Sequence, residues 1–376
     1  MRLSSRKFVA FTLAPALTLV LAAETTVRLK YFFAHAHDWN YITAPFSRGH
    51  AAGVERFSPP QEQQTVVNWP RPCVNGTVYS AELHRDMPRT FDGNCFRGDH
   101  VEQARTGDEY RVVFLGGSTV EDGQSDQEMM TAQFKRSLPQ RFAGKTITVV
   151  NAGKPGFQSS LILQYWESWV GTFSPDLVLY YEGWNEIPTD VRWTQADQNI
   201  AAIGGHLHKA LFYRSMLYTY LVEKFALRAT ARQRFWQIDL DRLRSSFSQL
   251  VEKVRNRRAR FVFVTQVIRF PRRWKGVDTF DRHAVETLLA QMRADPGYEY
   301  DMKEVSALNQ RLTVSYTIEL CRQLRVPVVN ILEPVEAVGE GGRDELFVDL
   351  GHLTVAGDRL VGGLIAKGLP LPGDGE

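Results

Sequence analysis

Three cysteines in 376 residues are too few for a disulfide-stapled scaffold, and none of them stands in a cluster with zinc-ligand spacing. His206 and His208 form an H-x-H pair, but no acidic or cysteine companion lies near it in the sequence, so no metal site is expected. An excess of one charge is also missing. The formal net charge is +3, which gives no reason to expect nucleic acid or a strongly acidic partner. The basic run Arg255, Arg257, Arg258 and Arg260 abuts an apolar stretch and reads as a solvated turn. There is no internal repeat and no low-complexity tract, which excludes solenoids and disordered arrays.

What is present is apolar content of 44%, enough over this length for a full α/β core with about a hundred residues left over. At the N-terminus Arg2, Arg6 and Lys7 precede an uncharged stretch from Phe8 to Ala23, the layout of an export signal with a positive cytoplasmic flank. These sixteen residues fall short of the roughly 20 that span hydrocarbon. Val20-Leu21-Ala22 offers a cleavage site, so cleaved signal and retained anchor both stay open. The retained anchor is preferred, because Glu24 and Arg28 can pair at i,i+4 and Val27, Leu29, Tyr31, Phe32 and Phe33 carry apolar, aromatic character into an interface. Residues 1–23 are therefore assigned to a membrane anchor or signal, with the remainder outside the cytoplasm.

Residues 24–108 are rich in Pro, Gly, Asn and aromatic residues without a sustained period, and are expected to be a loop-rich juxtamembrane segment. Cys73 and Cys95 both lie there. A disulfide between them suits an exported chain, two free thiols being the alternative, and Cys321 in a later helical pattern reads as a small buried hydrophobe.

From Tyr110 the texture changes to short apolar runs ending in Gly, Ser or Asn: 111–115, 147–150, 177–181, 261–267 and 326–331. Helical patterns separate them. Leu240, Leu243, Phe247, Leu250, Val251 and Val254 follow helical spacing behind Asp239 as a cap, and Val305, Leu308 and Leu312 repeat the pattern later. Five such strands predict a three-layer α/β/α fold with a flavodoxin-like five-stranded parallel sheet over residues 109–376, and active groups at the carboxyl ends of the strands. A helical insertion at about 189–257 follows the third strand. Its aromatic stretch from Leu211 to Phe225 reads as core packing, or as a lid or membrane-facing helix.

Chemistry gathers where the strands end. Gly116-Gly117-Ser118-Thr119 runs straight off the first strand, with glycines that let the chain turn and leave the hydroxyl uncovered. A serine needs a general base to be a nucleophile. After the second strand, Asn151-Ala152-Gly153-Lys154-Pro155-Gly156 puts a glycine where a backbone N–H can approach a substrate, and after the third, Glu182-Gly183-Trp184-Asn185-Glu186 offers an amide donor. Near the C-terminus Asp349-Leu350-Gly351-His352 sets a carboxylate and an imidazole three residues apart, a spacing that suits one loop. Gln266, Arg269 and Trp184 are candidates for the pocket wall.

Together and in this order, the four blocks resemble those of the SGNH/GDSL hydrolases over about residues 109–368. The resemblance implies Ser118 as nucleophile, His352 as base and Asp349 as its orienting partner. It also implies an oxyanion hole built from the Ser118 N–H, the Gly156 N–H and the Asn185 side-chain amide, and no metal or organic cofactor. Two positions depart from the pattern: the usual aspartate before the serine is Gly117, which removes a helper carboxylate, and the usual aspartate after the asparagine is Glu186. The front of the chain resembles a group of anchored bacterial members that place the catalytic domain in the periplasm. The activity this implies is hydrolysis of an acyl ester, an acetyl ester above all, on an envelope carbohydrate or lipid. O-acetyl transfer to a polysaccharide by the same triad, and non-catalytic carbohydrate binding, are the alternatives.

Overall fold

The computed structural model describes residues 17–30, 76–80, 85–105, 107–123, 125–138, 145–186, 215–221, 238–270, 281–295, 302–338 and 345–370. The chain divides into two compact units, one of residues 1–64 and 189–235, the other of residues 65–188 and 236–376.

The larger unit opens with an antiparallel hairpin of β1 (Gly76–Ser80) and β2 (Arg85–Arg89). Its main sheet has six strands: β3 (Arg97–Gly98), β4 (Glu109–Gly116), β5 (Thr146–Gly153), β6 (Leu177–Tyr181), β7 (Arg260–Val264) and β8 (Val328–Val329). Their order is β3-β5-β4-β6-β7-β8. The five strands β4 to β8 are parallel, as the apolar runs predict, and β3 pairs antiparallel with β5 at the edge. All eight residues of β4 are buried, which is why the strand reads as a continuous apolar run rather than as an alternation. The chain steps from β4 outward to β5, then back across β4 to β6. The order thus reverses at the carboxyl end of β4, where such sheets open a crevice.

Helices cover both faces of the sheet. In chain order they are α1 (Ser118–Glu121), α2 (Met130–Ser137), α3 (Ser159–Ser168), α4 (Leu240–Asn256), α5 (Arg282–Ala294), α6 (Met302–Leu324), α7 (Leu332–Ala337) and α8 (Val355–Gly368). α2 packs on α8, while α4 packs on α3 and α6. The α4 pattern is the expected one: Asp239 accepts from the Arg242 N–H at 2.9 Å, and Leu243, Phe247, Leu250, Val251 and Val254 are buried. Phe247 meets Tyr180 and Phe261 edge-on at 5.4 and 5.5 Å between ring centroids, locking α4 to the sheet.

Two features differ from the sequence reading, and the cysteines follow it as far as they are described. The stretch expected to be loop contributes β3 together with buried Phe96, Arg97 and Val101. Arg97 can be buried because its guanidinium donates to Asp126 Oδ1 at 2.8 Å and to the Glu121 carbonyl at 2.6 Å. The last strand is only two residues long. Cys95 is disulfide-bonded, whereas Cys321 is a buried free thiol. Cys73, the expected partner of Cys95, lies outside the described residues, as do His206 and His208.

In the smaller unit residues 17–30 form a helix, and the expected aromatic helix is described at Met216–Leu221. Glu24 pairs with Arg28 at 2.8 Å, and its other oxygen accepts from Ser215 Oγ at 2.8 Å and the Leu217 N–H at 2.9 Å. Leu17, Leu19, Val20 and Leu21 are exposed. Among the described residues no helix is long and apolar enough to cross a membrane; residues 1–16 of the expected anchor lie outside them.

Candidate active site

Ser118 is the first residue of α1 and stands where β4 ends, at the crevice set by the strand order. Asp349 and His352 share one loop closed by an antiparallel bridge between Phe347 and Leu353. Three backbone bonds hold it: Val348 N–H to the His352 carbonyl at 2.9 Å, Thr354 N–H to the Leu346 carbonyl at 3.0 Å, and Arg269 N–H to the Leu350 carbonyl at 2.9 Å. Arg269 thus acts through its backbone, as a brace from the end of β7.

Within the loop Asp349 Oδ1 accepts the Gly351 and His352 N–H groups, both at 2.8 Å, and Oδ2 lies 2.7 Å from His352 Nδ1. Partial burial works against the charged carboxylate, but the His352 side-chain hydrogen bond, the His352 charge and the two backbone donors outweigh it and hold its pKa at about 2. An ionised carboxylate only accepts, so a proton sits on Nδ1, and in the neutral imidazole the lone pair is then on Nε2. His352 Nε2 is 2.9 Å from Ser118 Oγ, which leaves the hydroxyl as donor into that lone pair. A carboxylate, an imidazole and a hydroxyl are therefore joined in a line able to take a proton from the serine.

The three expected oxyanion donors come from Ser118 itself and from the loops that follow β5 and β6. Gly156 has φ +75°, the left-handed region open to glycine, and is exposed with nothing within 4 Å of a Cβ placed there. Asn185 is half-buried, and its Nδ2 donates to the Phe157 carbonyl at 3.1 Å and to Glu182 Oε2 at 3.2 Å. Gly117 needs to be glycine for space rather than for its turn. Its φ of −87° suits any residue, but a Cβ there would lie 2.1 Å from Asn185 Nδ2 and 2.5 Å from Glu182 Oε2. A Glu182 carboxylate oxygen thus occupies the space beside residue 117 that any side chain there would enter. Glu186 is buried as well and accepts from the Ser159 N–H, joining the third block to the start of α3.

Two residues were missed by sequence reasoning. Glu182 ends the run Leu177-Val178-Leu179-Tyr180-Tyr181, and a charge directly after a fully buried strand was the available signal. Asp122 Oδ2 lies 3.3 Å from His352 Nε2, placed there by its spacing of one helical turn from Ser118. Gln266, expected at the pocket wall, is fully buried and donates to Thr119 Oγ1 at 2.8 Å, bracing α1 from behind. Trp184 is half-buried. Among the described residues no group of three metal-ligating side chains converges.

The profile of the GDSL-like lipase/acylhydrolase family matches residues 114–360. No curated protein matches the chain. Similar solved structures include the lipase/acylhydrolase from Enterococcus faecalis, at 16% identity, 69% of this chain, 94% of that chain and a TM-score of 0.40. The acetyl xylan esterase AlAXEase is similar at 13% identity, 69% of this chain, 99% of that chain and a TM-score of 0.41. A GDSL-like lipase from Bacteroides thetaiotaomicron is similar at 15% identity, 68% of this chain, 86% of that chain and a TM-score of 0.36.

Proposed function

The chain belongs to the GDSL-like lipase/acylhydrolase family, a family of serine hydrolases, and from that premise we propose that it cleaves an acyl ester, an acetyl ester above all, from a cell-envelope carbohydrate or lipid using Ser118, His352 and Asp349. The observation that carries this reading is the line of hydrogen bonds from Asp349 through His352 to Ser118, 2.7 and 2.9 Å long. Ser118 Oγ attacks the ester carbonyl as its proton passes to His352 Nε2. Asp349 stabilises the imidazolium, the carbonyl π electrons move to the oxygen, and the N–H groups of Ser118 and Gly156 with the Asn185 amide receive that oxyanion. Collapse expels the alcohol, which takes the proton from Nε2. Water then enters with His352 as base, and the acid leaves with Ser118 restored. Neither a metal nor an organic cofactor takes part in these steps.

We further infer an extracytoplasmic location at a membrane. The basic flank at Arg2, Arg6 and Lys7, the uncharged stretch after it, the exposed Leu17, Leu19, Val20 and Leu21, and the disulfide at Cys95 support this.

The test is hydrolysis of p-nitrophenyl acetate and longer-chain esters by the full chain in detergent, beside Ser118→Ala and His352→Ala. Turnover of acetate that both substitutions reduce by about 10³ or more supports the reading. Equal rates in all three proteins refute it, and turnover that appears only when a sugar hydroxyl is supplied as acceptor replaces hydrolysis with transfer.

A further inference from the structure

Glu182 is 1% exposed, and a carboxylate is costly to bury unless donors surround it. Each hydrogen-bond partner described for it is a donor. Oε1 accepts the Gly183 N–H at 2.9 Å and the Asn185 N–H at 2.8 Å, Oε2 accepts from Asn185 Nδ2 at 3.2 Å, and the Gly117 N–H donates to the same group. Two of these contacts concern the site directly: Gly117 leads into the nucleophile, and Asn185 carries the side-chain donor of the oxyanion hole.

An asparagine amide can sit in either of two orientations of nearly identical shape. Here Nδ2 faces the Phe157 carbonyl at 3.1 Å and Glu182 Oε2 at 3.2 Å. Turning the amide over would set its oxygen against two acceptors. Phe157 alone offers a single neutral carbonyl, whereas Glu182 adds a charge-assisted bond and reaches the backbone beside Ser118 at the same time.

Resting on the reading of Ser118, His352 and Asn185 given above, we propose that Glu182 is a positioning residue for the oxyanion hole: it takes one Nδ2 hydrogen of Asn185 and so keeps the NH2 group beside Gly117, while the other hydrogen, which rests on the Phe157 carbonyl, is the one that turns to the oxyanion. Gly117 is the matching half of this arrangement, since any side chain there would occupy the space of the Glu182 carboxylate and the Asn185 amide. Burial, opposed by the Asn185, Gly183 and Gly117 N–H donors and assisted by Glu186, pushes the Glu182 carboxyl up to about 7.

The experiment is a double-mutant cycle on the full chain, measuring kcat and KM for p-nitrophenyl acetate in wild type, Glu182→Gln, Asn185→Ala and the double variant, with Ser118→Ala as control. Glutamine keeps the shape but presents an NH2 group where Asn185 needs an acceptor. The expected result is a fall in kcat of about tenfold for Glu182→Gln at little-changed KM, and of about 10²–10³ for Asn185→Ala. In the double variant kcat stays within about twofold of Asn185→Ala, because Glu182 acts through the amide already removed. A merely structural Glu182 would lower kcat by the same factor in both backgrounds, and that outcome, or a Glu182→Gln enzyme with wild-type kcat, overturns the proposal while the triad reading stands. Turnover surviving in Ser118→Ala overturns the triad reading and this proposal with it. Should Glu182→Gln yield no folded protein, Glu182→Asp takes its place in the cycle. It keeps the charge but withdraws it from Asn185 Nδ2, and the same outcomes decide.

Discussion

Replacing Gly117 by alanine adds one methyl group and tests the geometry of the site without removing any of its chemistry. The backbone there has φ −87° and ψ −151°, a conformation open to alanine, so no torsional penalty is expected. The cost is steric: the new Cβ would stand 2.1 Å from Asn185 Nδ2 and 2.5 Å from Glu182 Oε2, both far inside van der Waals contact. Asn185 must retreat by more than an ångström, which takes its amide out of reach of an oxyanion. Losing one such donor costs about 10²–10³ in kcat. Over-packing in a tight region costs about 1–3 kcal/mol of stability, small enough for the protein to remain folded. The assay is steady-state hydrolysis of p-nitrophenyl acetate on protein shown to be folded by its melting curve. The expected outcome is a kcat at least about 100-fold below wild type with KM nearly unchanged. Gly156→Ala is the counterpart: no atom lies within 4 Å of the added Cβ but φ is +75°, so it should cost about 1 kcal/mol of stability through backbone strain. A folded Gly117→Ala enzyme with wild-type kcat would refute the placement of Asn185 and Glu182 against residue 117.

Two further outcomes follow from groups away from the serine. Asp358 of α8 is 1% exposed, and desolvation raises its carboxyl pKa well above the usual value, against the Met130 N–H and the Arg97 charge. A raised carboxyl pKa means that the folded state holds a proton the unfolded chain releases, so stability declines as pH rises above about 4. Asp358→Asn should therefore melt higher than wild type at neutral pH, with the gap closing on acidification; thermal melts across pH 3 to pH 8 that run parallel would contradict this. Phe247→Ala removes the ring that packs against Tyr180, Phe261 and Phe263 and should destabilise the protein by about 3–5 kcal/mol, read from denaturant melts.

Much of the fold was legible because a doubly covered parallel sheet writes itself as separated apolar runs, and Val112, Phe114, Val178, Leu179, Val262 and Phe263 are all fully buried. Ser118, Asp349 and His352, which the structure joins by hydrogen bonds, were legible because each follows a run or sits in a short loop of recognisable composition. The edge strand was not, since two residues carry no period, and its buried Arg97 looks like a surface residue until its acceptors are assembled from residues 24 to 29 positions away. Glu182 was passed over because a charge at a strand end ordinarily marks emergence into solvent; here it marks a turn whose own N–H groups close around it. Gln266 was misplaced for the converse reason: a polar side chain after a strand suggested the crevice, but Thr119 takes its amide inside the protein.

The hairpin that carries Asp349 and His352 also bears on timing. Synthesis runs from the N-terminus, so Ser118 leaves the ribosome 234 residues ahead of His352. The loop that delivers the base is braced by Arg269 and followed by α8, which must pack on α2. A chain that ends within α6 contains Ser118 but neither Asp349 nor His352, so its serine lacks the imidazole that accepts its proton. In the order of synthesis the base therefore arrives last, and a chain that stops short of residue 352 is expected to lack the Asp349–His352–Ser118 line altogether.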